Sequence, residues 1–315
     1  MKRMLMLLLA AALLIGCGQP VETKQTAAPE PAVTGSPTPE PTAEPTLAPT
    51  KDPNTIVIGG EVFAYDGRSI VEPEVTFDIY EKTVSDFVDD FDTVYEVARE
   101  SYLLTPGADT ETTVVKIVGK EPGPTVYVAA GIHGNERAAW YAGLMLQNAT
   151  IKAGTLYVLA PANAQGARLV RRTVGTEDPN RCFPGDENGT AAQRICYAIF
   201  HDIEEKQPEI LLDLHEAIVY AADRDFLGSN LIYSDLTGME DLFFDLLFDT
   251  QDGKVTSRPF NINGPGPEGS MNRTVTNELG VPSITVETFR GFPMERRVSD
   301  QLKIVAYVLR YKGML

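Results

Sequence analysis

Short apolar runs alternate with longer amphipathic stretches from residue 125 onward, and this alternation limits the possible folds more than any other property of the chain. Four runs bounded by glycine or proline have the composition of buried strands: 125–130, 155–160, 210–214 and 283–287. Stretches with helical spacing lie between them, at 137–148, 191–205 and 238–248. Strands that alternate with helices are typical of α/β folds. We therefore predict one α/β domain with a central mixed, largely parallel β-sheet flanked by helices.

The segment before these runs is less regular. Residues 84–101 have the spacing of a helix, with strand-like segments on either side. At the other end of the chain, the amphipathic stretch 300–311 predicts a closing helix. Because no second linker interrupts residues 55–315, we assign them to a single domain.

The N-terminus has the features of a bacterial lipoprotein signal peptide. Lys2 and Arg3 precede an uninterrupted apolar run over residues 4–15, which is shorter than the roughly 20 residues of a membrane-spanning helix. The run ends in Leu-Ile-Gly-Cys, which resembles the lipobox, where the cysteine is lipidated after cleavage. We therefore expect cleavage after residue 16 and a lipid anchor on Cys17. The protein would then lie outside the cytoplasm, anchored to the bacterial membrane in the cell envelope.

Residues 17–54 are predicted to be a disordered linker that follows the lipidated cysteine. Positions 18–54 hold nine of the chain's 22 prolines and seven threonines, with few side chains that could form a core. Such a composition favours extended polyproline conformations. We interpret the segment as a stalk that separates the folded domain from the membrane.

The charge of the chain argues against nucleic acid as a partner. The sequence has 44 acidic and 27 basic side chains, a formal net charge of −17. Proteins that bind DNA or RNA rely on clustered lysine and arginine for affinity. We therefore expect no nucleic-acid partner.

Polar side chains follow three of the predicted strands at their carboxyl ends. They are His133 and Glu136 after the first strand, His215 after the third and Glu287 at the end of the fourth. In α/β sheets, ligands collect at this edge. Two histidines and one glutamate form a catalytic type of zinc site, with a fourth position left for water. We therefore predict one Zn²⁺ per chain, with Glu287 free to act as a general base.

The order of the motifs extends this set: His133-x-x-Glu136, Asn180-Arg181 before Phe-Pro-Gly, Asp213-Leu-His215 and Thr285-Val-Glu287. The ordered set resembles the zinc carboxypeptidase superfamily, and more closely its succinylglutamate desuccinylase and aspartoacylase branch. The resemblance covers roughly residues 120–290 and implies a zinc carboxypeptidase-like fold for 55–315.

The resemblance also implies a role for each motif residue. His133, Glu136 and His215 would be the zinc ligands, Glu287 the catalytic base, Asn180 and Arg181 the site for a substrate carboxylate, and Asp178 the carboxylate that orients His133. It further implies an arginine that polarises the scissile carbonyl, for which we prefer Arg172 over Arg171.

Several residues are open to two interpretations. Cys182 and Cys196 could form a disulfide or remain buried free thiols. Asp213 could support the second histidine, and Arg273 could bind substrate or pair with Glu268 or Glu278. The other histidine, His201, is predicted to be a helix residue without a metal role. The glycine- and proline-rich stretch 261–269 is expected to border the cleft.

These features favour a zinc-dependent amide hydrolase at the cell envelope. Its substrate would carry a carboxylate: an N-acyl amino acid to be deacylated, or a short or cell-wall peptide that loses its C-terminal residue. The alternative is a catalytically inactive, membrane-tethered protein that binds peptides or carboxylates. A purely structural spacer would explain the linker but not the strand-end residues.

Overall fold

An eight-stranded mixed sheet lies at the centre of the fold. The computed structural model describes residues 54–58, 61–67, 70–76, 78–217 and 228–315, all within the compact unit Lys51–Leu315. The predicted signal peptide, the Cys17 anchor site and the linker up to residue 53 lie outside the described residues. None of the described helices is long and apolar enough to cross a membrane.

The described residues form two sheets. The strands are β1 (Thr55–Ile58), β2 (Glu61–Ala64), β3 (Val97–Leu104), β4 (Thr112–Gly119), β5 (Glu121–Ala130), β6 (Ala153–Leu159), β7 (Ile210–Ala217), β8 (Asn230–Tyr233), β9 (Asn261–Asn263) and β10 (Ser283–Phe289). β1 and β2 form an antiparallel pair, and the large sheet has the order β3-β4-β6-β5-β7-β10-β8-β9. Its four central strands, β6, β5, β7 and β10, pair in parallel, whereas β3, β4 and β8 join antiparallel to their inner neighbours.

Helices cover both faces of the large sheet. They are α1 (Arg137–Leu146), α2 (Ala164–Leu169), α3 (Ala191–Lys206), α4 (Glu240–Gln251), α5 (Met271–Thr274) and α6 (Met294–Tyr311). α1, α4 and α6 share a hydrophobic cluster with one face of the sheet, and α3 packs on the other face. The predicted fold class, a single α/β domain with a mixed and largely parallel sheet, is confirmed.

The alternation of side chains along β7 determines which residues reach the candidate site. Leu212 and Leu214 belong to the cluster on the α1 and α6 face, whereas Leu211 belongs to the cluster on the α3 face. Successive side chains of a strand point to opposite faces. His215 therefore lies on the same side as Leu211, and Glu216 lies on the α1 and α6 side.

One predicted helix is wrong. Residues 84–101 instead form short 3-10 turns at Val84–Asp86 and Asp89–Phe91, followed by β3. Thr83 and Asp86 bond reciprocally to each other's backbone N–H groups and close the first turn. Short polar side chains compete with the helical backbone in this way. β3 then pairs with β4 over its whole length. This pairing outweighs the helical spacing of the β3 sequence.

Candidate metal and active site

The three predicted zinc ligands meet at the carboxyl ends of β5 and β7. His133 and Glu136 lie on the turn between β5 and α1, and His215 lies near the end of β7. All three residues are at most 2% exposed, and a potential ligand atom of each lies within 4.8 Å of the others. The turn requires glycine at Gly131, which has a φ of 77° and no room for a Cβ beside Trp140.

Both histidines direct the same ring nitrogen toward Glu136. The Nδ1 atom of His133 lies 2.7 Å from Glu136 Oε1, and the Nδ1 atom of His215 lies 2.8 Å from Glu136 Oε2. The backbone N–H of Glu216 donates to Glu136 Oε2 at 3.0 Å. Two imidazole nitrogens and a carboxylate therefore converge on one buried point.

Carboxylates also lie beside the opposite ring nitrogens. Asp178 Oδ1 is 2.9 Å from His133 Nε2, and Asp213 Oδ1 is 3.1 Å from His215 Nε2, an ion-pair distance without hydrogen-bond geometry. A carboxylate behind a histidine fixes the ring orientation and makes the free nitrogen a better metal ligand. Both histidines have a carboxylate in this position, but only His133 is hydrogen bonded to it.

Neighbouring charges shift the pKa values of three residues of the cluster, His215, Glu136 and Asp178. Burial favours the neutral ring, but Asp213 and Glu136 nevertheless raise the pKa of His215 well above its ordinary value. Burial also opposes ionisation of Glu136, yet His133 and His215 lower its pKa well below the usual range. Despite partial burial, hydrogen bonding from His133 and the charge of Arg172 likewise lower the pKa of Asp178. The cluster therefore holds ionised carboxylates next to imidazoles.

The chemistry of this donor set fits zinc. Zn²⁺ is commonly held by imidazole nitrogens and carboxylate oxygens, and catalytic sites use three protein ligands. His133, Glu136 and His215 supply that number of donors, and carboxylates lie beside both histidines. These three residues would hold the ion.

Glu287 lies directly beside this cluster. β10 runs parallel to β7 with Glu287 in register with His215, so the two side chains share one face of the sheet. Glu287 is buried, and its Oε2 atom has no hydrogen-bond partner among the described residues. Burial raises the pKa of Glu287 to about 7, against the opposing charge of His215. A carboxyl group with such a pKa can both accept and donate a proton near neutral pH.

A cavity of about 250 Å³ opens onto the cluster. Its wall includes the predicted residues His133, Glu136, Arg172, Asn180, Arg181 and Glu287. The stretch 261–269 borders it, as expected, through Gly266 and Pro267. The structure thus brings most of the predicted residues around one cavity.

Asn180 and Arg181 lie on a 3-10 turn, Pro179–Arg181, and Asp178 is the N-cap residue of this turn. The Oδ1 atom of Asn180 accepts a hydrogen bond from the N–H of Met271 at 2.8 Å. Arg181 donates through Nη1 to the carbonyl of Asn180 at 2.6 Å. These contacts fix the turn and place a guanidinium at the cavity wall, where it can meet a carboxylate.

Arg172 and Arg171 have different environments. Arg172 Nη1 donates to Glu136 Oε1 at 3.0 Å, and its Nε and Nη2 atoms donate to Asp178 at 3.2 and 3.1 Å. Arg171 is exposed. The structure therefore places Arg172 at the cluster, in contact with the candidate ligand Glu136 and with Asp178, which contacts the candidate ligand His133. Its role in polarising a carbonyl stays a prediction.

The residues with two interpretations have the following environments. Cys182 and Cys196 are free thiols that donate to the carbonyls of Asp178 and Pro179. Arg273 pairs with Glu268, with its Nη2 atom 3.4 Å from the carboxylate.

His201, the remaining histidine, is exposed on α3 and lies outside the cluster. Its Nδ1 atom is 2.6 Å from Glu204.

Sequence reasoning missed two charged residues of the cavity wall, Glu216 and Arg290. Each is close in sequence to a predicted residue, Glu216 directly after His215 and Arg290 three residues after Glu287. A charged residue inside an apolar strand was the available signal for Glu216. The motif residues of β7 lie on the face of His215, and Glu216 lies on the opposite face.

The fold and this site define a class: an α/β protein with a candidate metal site at the strand ends of a largely parallel sheet. Within it, residues 122–231 match the family model of the succinylglutamate desuccinylase/aspartoacylase catalytic domain. The matched segment contains the three candidate ligands and ends before Glu287. The resemblance predicted from the motifs is therefore confirmed for this segment. No curated protein matches this chain in sequence.

Solved structures share the fold at low sequence identity. A succinylglutamate desuccinylase from a Silicibacter species is 18% identical, covers 71% of this chain and 69% of its own, and has a TM-score of 0.53. A metallo-carboxypeptidase from Burkholderia cenocepacia is 12% identical over 72% and 67% of the two chains, with a TM-score of 0.53. A tripeptide-bound cell shape determinant from Helicobacter pylori is 16% identical over 70% and 56%, with a TM-score of 0.54.

Proposed function

We propose that this protein is a zinc-dependent amide hydrolase of the bacterial cell envelope. It removes the acyl group of an N-acyl amino acid or the C-terminal residue of a short peptide. The observation that carries the proposal is the buried His133, Glu136 and His215 cluster with Glu287 beside it on one cavity. Three metal donors and a carboxyl group with a pKa of about 7 are the groups that metal-assisted hydrolysis needs.

Each group of the chain has a defined part in this reaction. Bound zinc would polarise the scissile carbonyl and increase the acidity of the attacking water. Glu287 takes the proton from that water and passes it to the leaving nitrogen. Asn180 and Arg181 bind the substrate carboxylate and thereby set which amide bond reaches Glu287. Arg172, between Glu136 and Asp178, contributes positive charge where the oxyanion develops.

Two substrate classes fit these groups. Deacylation is supported by the family match and by the desuccinylase that shares the fold. Peptide trimming is supported by the metallo-carboxypeptidase and by the tripeptide-bound protein that share it. Both kinds of substrate present an amide and a free carboxylate. A panel of N-acyl amino acids and short cell-wall peptides, assayed with the zinc-loaded protein, separates them.

The proposed location in the cell envelope rests on the signal-peptide motif and on the cysteine at position 17. A tethered domain outside the cytoplasm would meet cell-wall peptides and other extracellular peptides. Cell fractionation tests this part of the proposal: the anchor predicts the intact chain in the membrane fraction, and recovery only in the cytosol would contradict it.

The Glu287→Gln variant tests the chemistry. It keeps the size of the side chain but removes the proton acceptor, so turnover should fall by about 100- to 10,000-fold while zinc content stays at the wild-type level. Glu278→Gln, an exposed change outside the cavity, is the matched control and should retain activity.

Retained turnover in Glu287→Gln would remove Glu287 from its assigned role. Substrate binding without turnover in the wild-type protein, across the whole panel, would favour the non-catalytic binding protein.

A further inference from the structure

Glu216 has no role in the proposed reaction, yet its backbone contacts the ligand Glu136 and its side chain contacts the helix that follows Glu136. Its backbone N–H donates to Glu136 Oε2 at 3.0 Å. Its side-chain Oε2 accepts from the N–H of Ala138 at 2.9 Å, in the first turn of α1. α1 begins directly after Glu136, so Glu216 holds both the carboxylate of the ligand and the helix that follows it.

The contact with Ala138 replaces a missing helix cap. Glu136 occupies the N-cap position of α1 but makes no capping hydrogen bond with its side chain, because both of its carboxylate oxygens face the histidines. The first N–H groups of a helix need acceptors, and a carboxylate there is favoured by the helix dipole. Glu216 supplies that carboxylate and leaves Glu136 available to a metal.

Arg297 of α6 holds Glu216 in turn. Arg297 is fully buried, and its Nη1 atom donates both to Glu216 Oε1 and to Glu72 Oε1, the latter at 2.8 Å. Glu72 also accepts from Arg290 Nη2 at 2.9 Å. The result is a network of two glutamates and two arginines without net charge, so it is not an attractive site for an anion.

This buried charged network is an unfavourable way to stabilise the folded protein. The Nε and Nη2 atoms of Arg297 have no partner among the described residues, and buried guanidinium N–H groups without acceptors are unfavourable. An apolar residue would fill this position of α6 at lower cost. The network is therefore best explained by the position in which it holds Glu216, and not by a contribution to stability.

We infer that Glu216 and Arg297 are positioning residues for the metal ligand Glu136. The inference rests on the proposed zinc site. It adds residues that hold Glu136 in place, two of which lie outside the family-matched segment 122–231. Arg297 comes from the C-terminal helix and Glu72 from the N-terminal part of the domain. Partners of this kind commonly change metal affinity 10- to 100-fold when they are mutated.

The test is zinc affinity, measured by competition with a chelator, together with thermal unfolding of the zinc-free protein. Glu216→Gln keeps the shape of the side chain but removes the charge that serves both Arg297 and Ala138. Its affinity should be weaker by about tenfold or more. Arg297→Lys keeps a cation but cannot reach both glutamates in the same way, and should weaken zinc binding less.

Glu61→Gln is the matched control. Glu61 also joins the N-terminal part of the domain to α6, through Arg296 at 3.9 Å, and it pairs with Arg258. This ion pair does not contact the ligands, so its loss should leave zinc affinity unchanged. A merely structural role for Glu216 would lower the unfolding temperature and leave the zinc affinity of the folded protein at the wild-type value.

The outcomes separate the two proposals. Zinc binding that is equal in the wild type, Glu216→Gln and Arg297→Lys overturns the positioning role alone. A wild-type protein that binds no zinc overturns the proposed function and this inference with it. If Glu216→Gln does not fold, Arg297→Lys decides: weaker zinc binding than in Glu61→Gln supports the inference, and equal binding overturns it.

Discussion

At the scale of single residues, the site converges on Glu136. Its two carboxylate oxygens meet the Nδ1 atoms of His133 and His215, the guanidinium of Arg172 and the backbone N–H of Glu216. A side chain with so many partners has little freedom to move. A preformed set of donors loses less conformational entropy when it binds a metal.

The environment of His215 predicts how zinc affinity depends on pH. Burial favours the neutral ring, but Asp213 and Glu136 raise the pKa of His215 well above its ordinary value. Below the raised pKa the ring carries a proton that a metal must displace, and above it the ring is free to bind. Affinity should therefore rise with pH and then level off. The acid side should have a slope of about tenfold per pH unit for each proton displaced.

Chelator competition at a series of pH values measures this slope. The control is calorimetry in buffers with different heats of ionisation, which counts the protons released on binding. Zinc affinity that stays constant from about pH 6 to 8 would show that His215 does not carry the proton assigned to it.

The sequence predicts the individual site residues unevenly. His133, Glu136, His215 and Glu287 follow strands whose composition is easy to identify, and strand ends in an α/β sheet are close in space. Arg297 could not be predicted in the same way. It lies in an amphipathic helix, where an arginine is usually exposed, and only the folded structure shows it buried.

At the scale of helices and strands, prediction was accurate where apolar runs are long and bounded. The strands at β5, β6, β7 and β10 and the helices α1, α3 and α4 coincide with the predicted stretches to within a few residues. The closing helix α6 begins at Met294, six residues before the predicted start. The segment 84–101 was assigned wrongly because its spacing is helical. In the structure Asp86 closes a turn with Thr83, and the end of the segment pairs with β4 as the strand β3.

The contact between α3 and the sheet yields a prediction about stability. The hydroxyl of Tyr127, on β5, donates to Asp202 of α3 at 2.7 Å, and both side chains are buried. Tyr127→Phe removes this donor and leaves Asp202 with fewer hydrogen bonds. The free energy of unfolding should fall by about 1–3 kcal/mol, measured by urea unfolding of the zinc-free protein.

Tyr80→Phe provides the comparison, because Tyr80 is 92% exposed and its hydroxyl should contribute almost nothing to stability. Equal unfolding free energies for the two variants would mean that the Tyr127 hydroxyl does not stabilise the contact with α3.

At the scale of the whole molecule, the order of the sheet explains why distant sequence segments form one site. β7 lies between β5 and β10, so the turn after β5, the end of β7 and the end of β10 are neighbours. The strand order could not be read from the sequence, since β10 is inserted between β7 and β8 by a crossover. The motif resemblance implied which of these segments share one site, and periodicity alone could not show that.

The measurement that tests the central claim most directly is the metal content of the purified protein by elemental analysis, for the wild type and His215→Ala in parallel. We expect one zinc per wild-type chain and its loss in the variant, because two remaining ligands hold zinc much more weakly than three. Circular dichroism should show that the variant keeps its fold. A wild-type chain that contains no zinc and takes up none on addition, or a folded variant that retains full zinc, would contradict the assignment of this site.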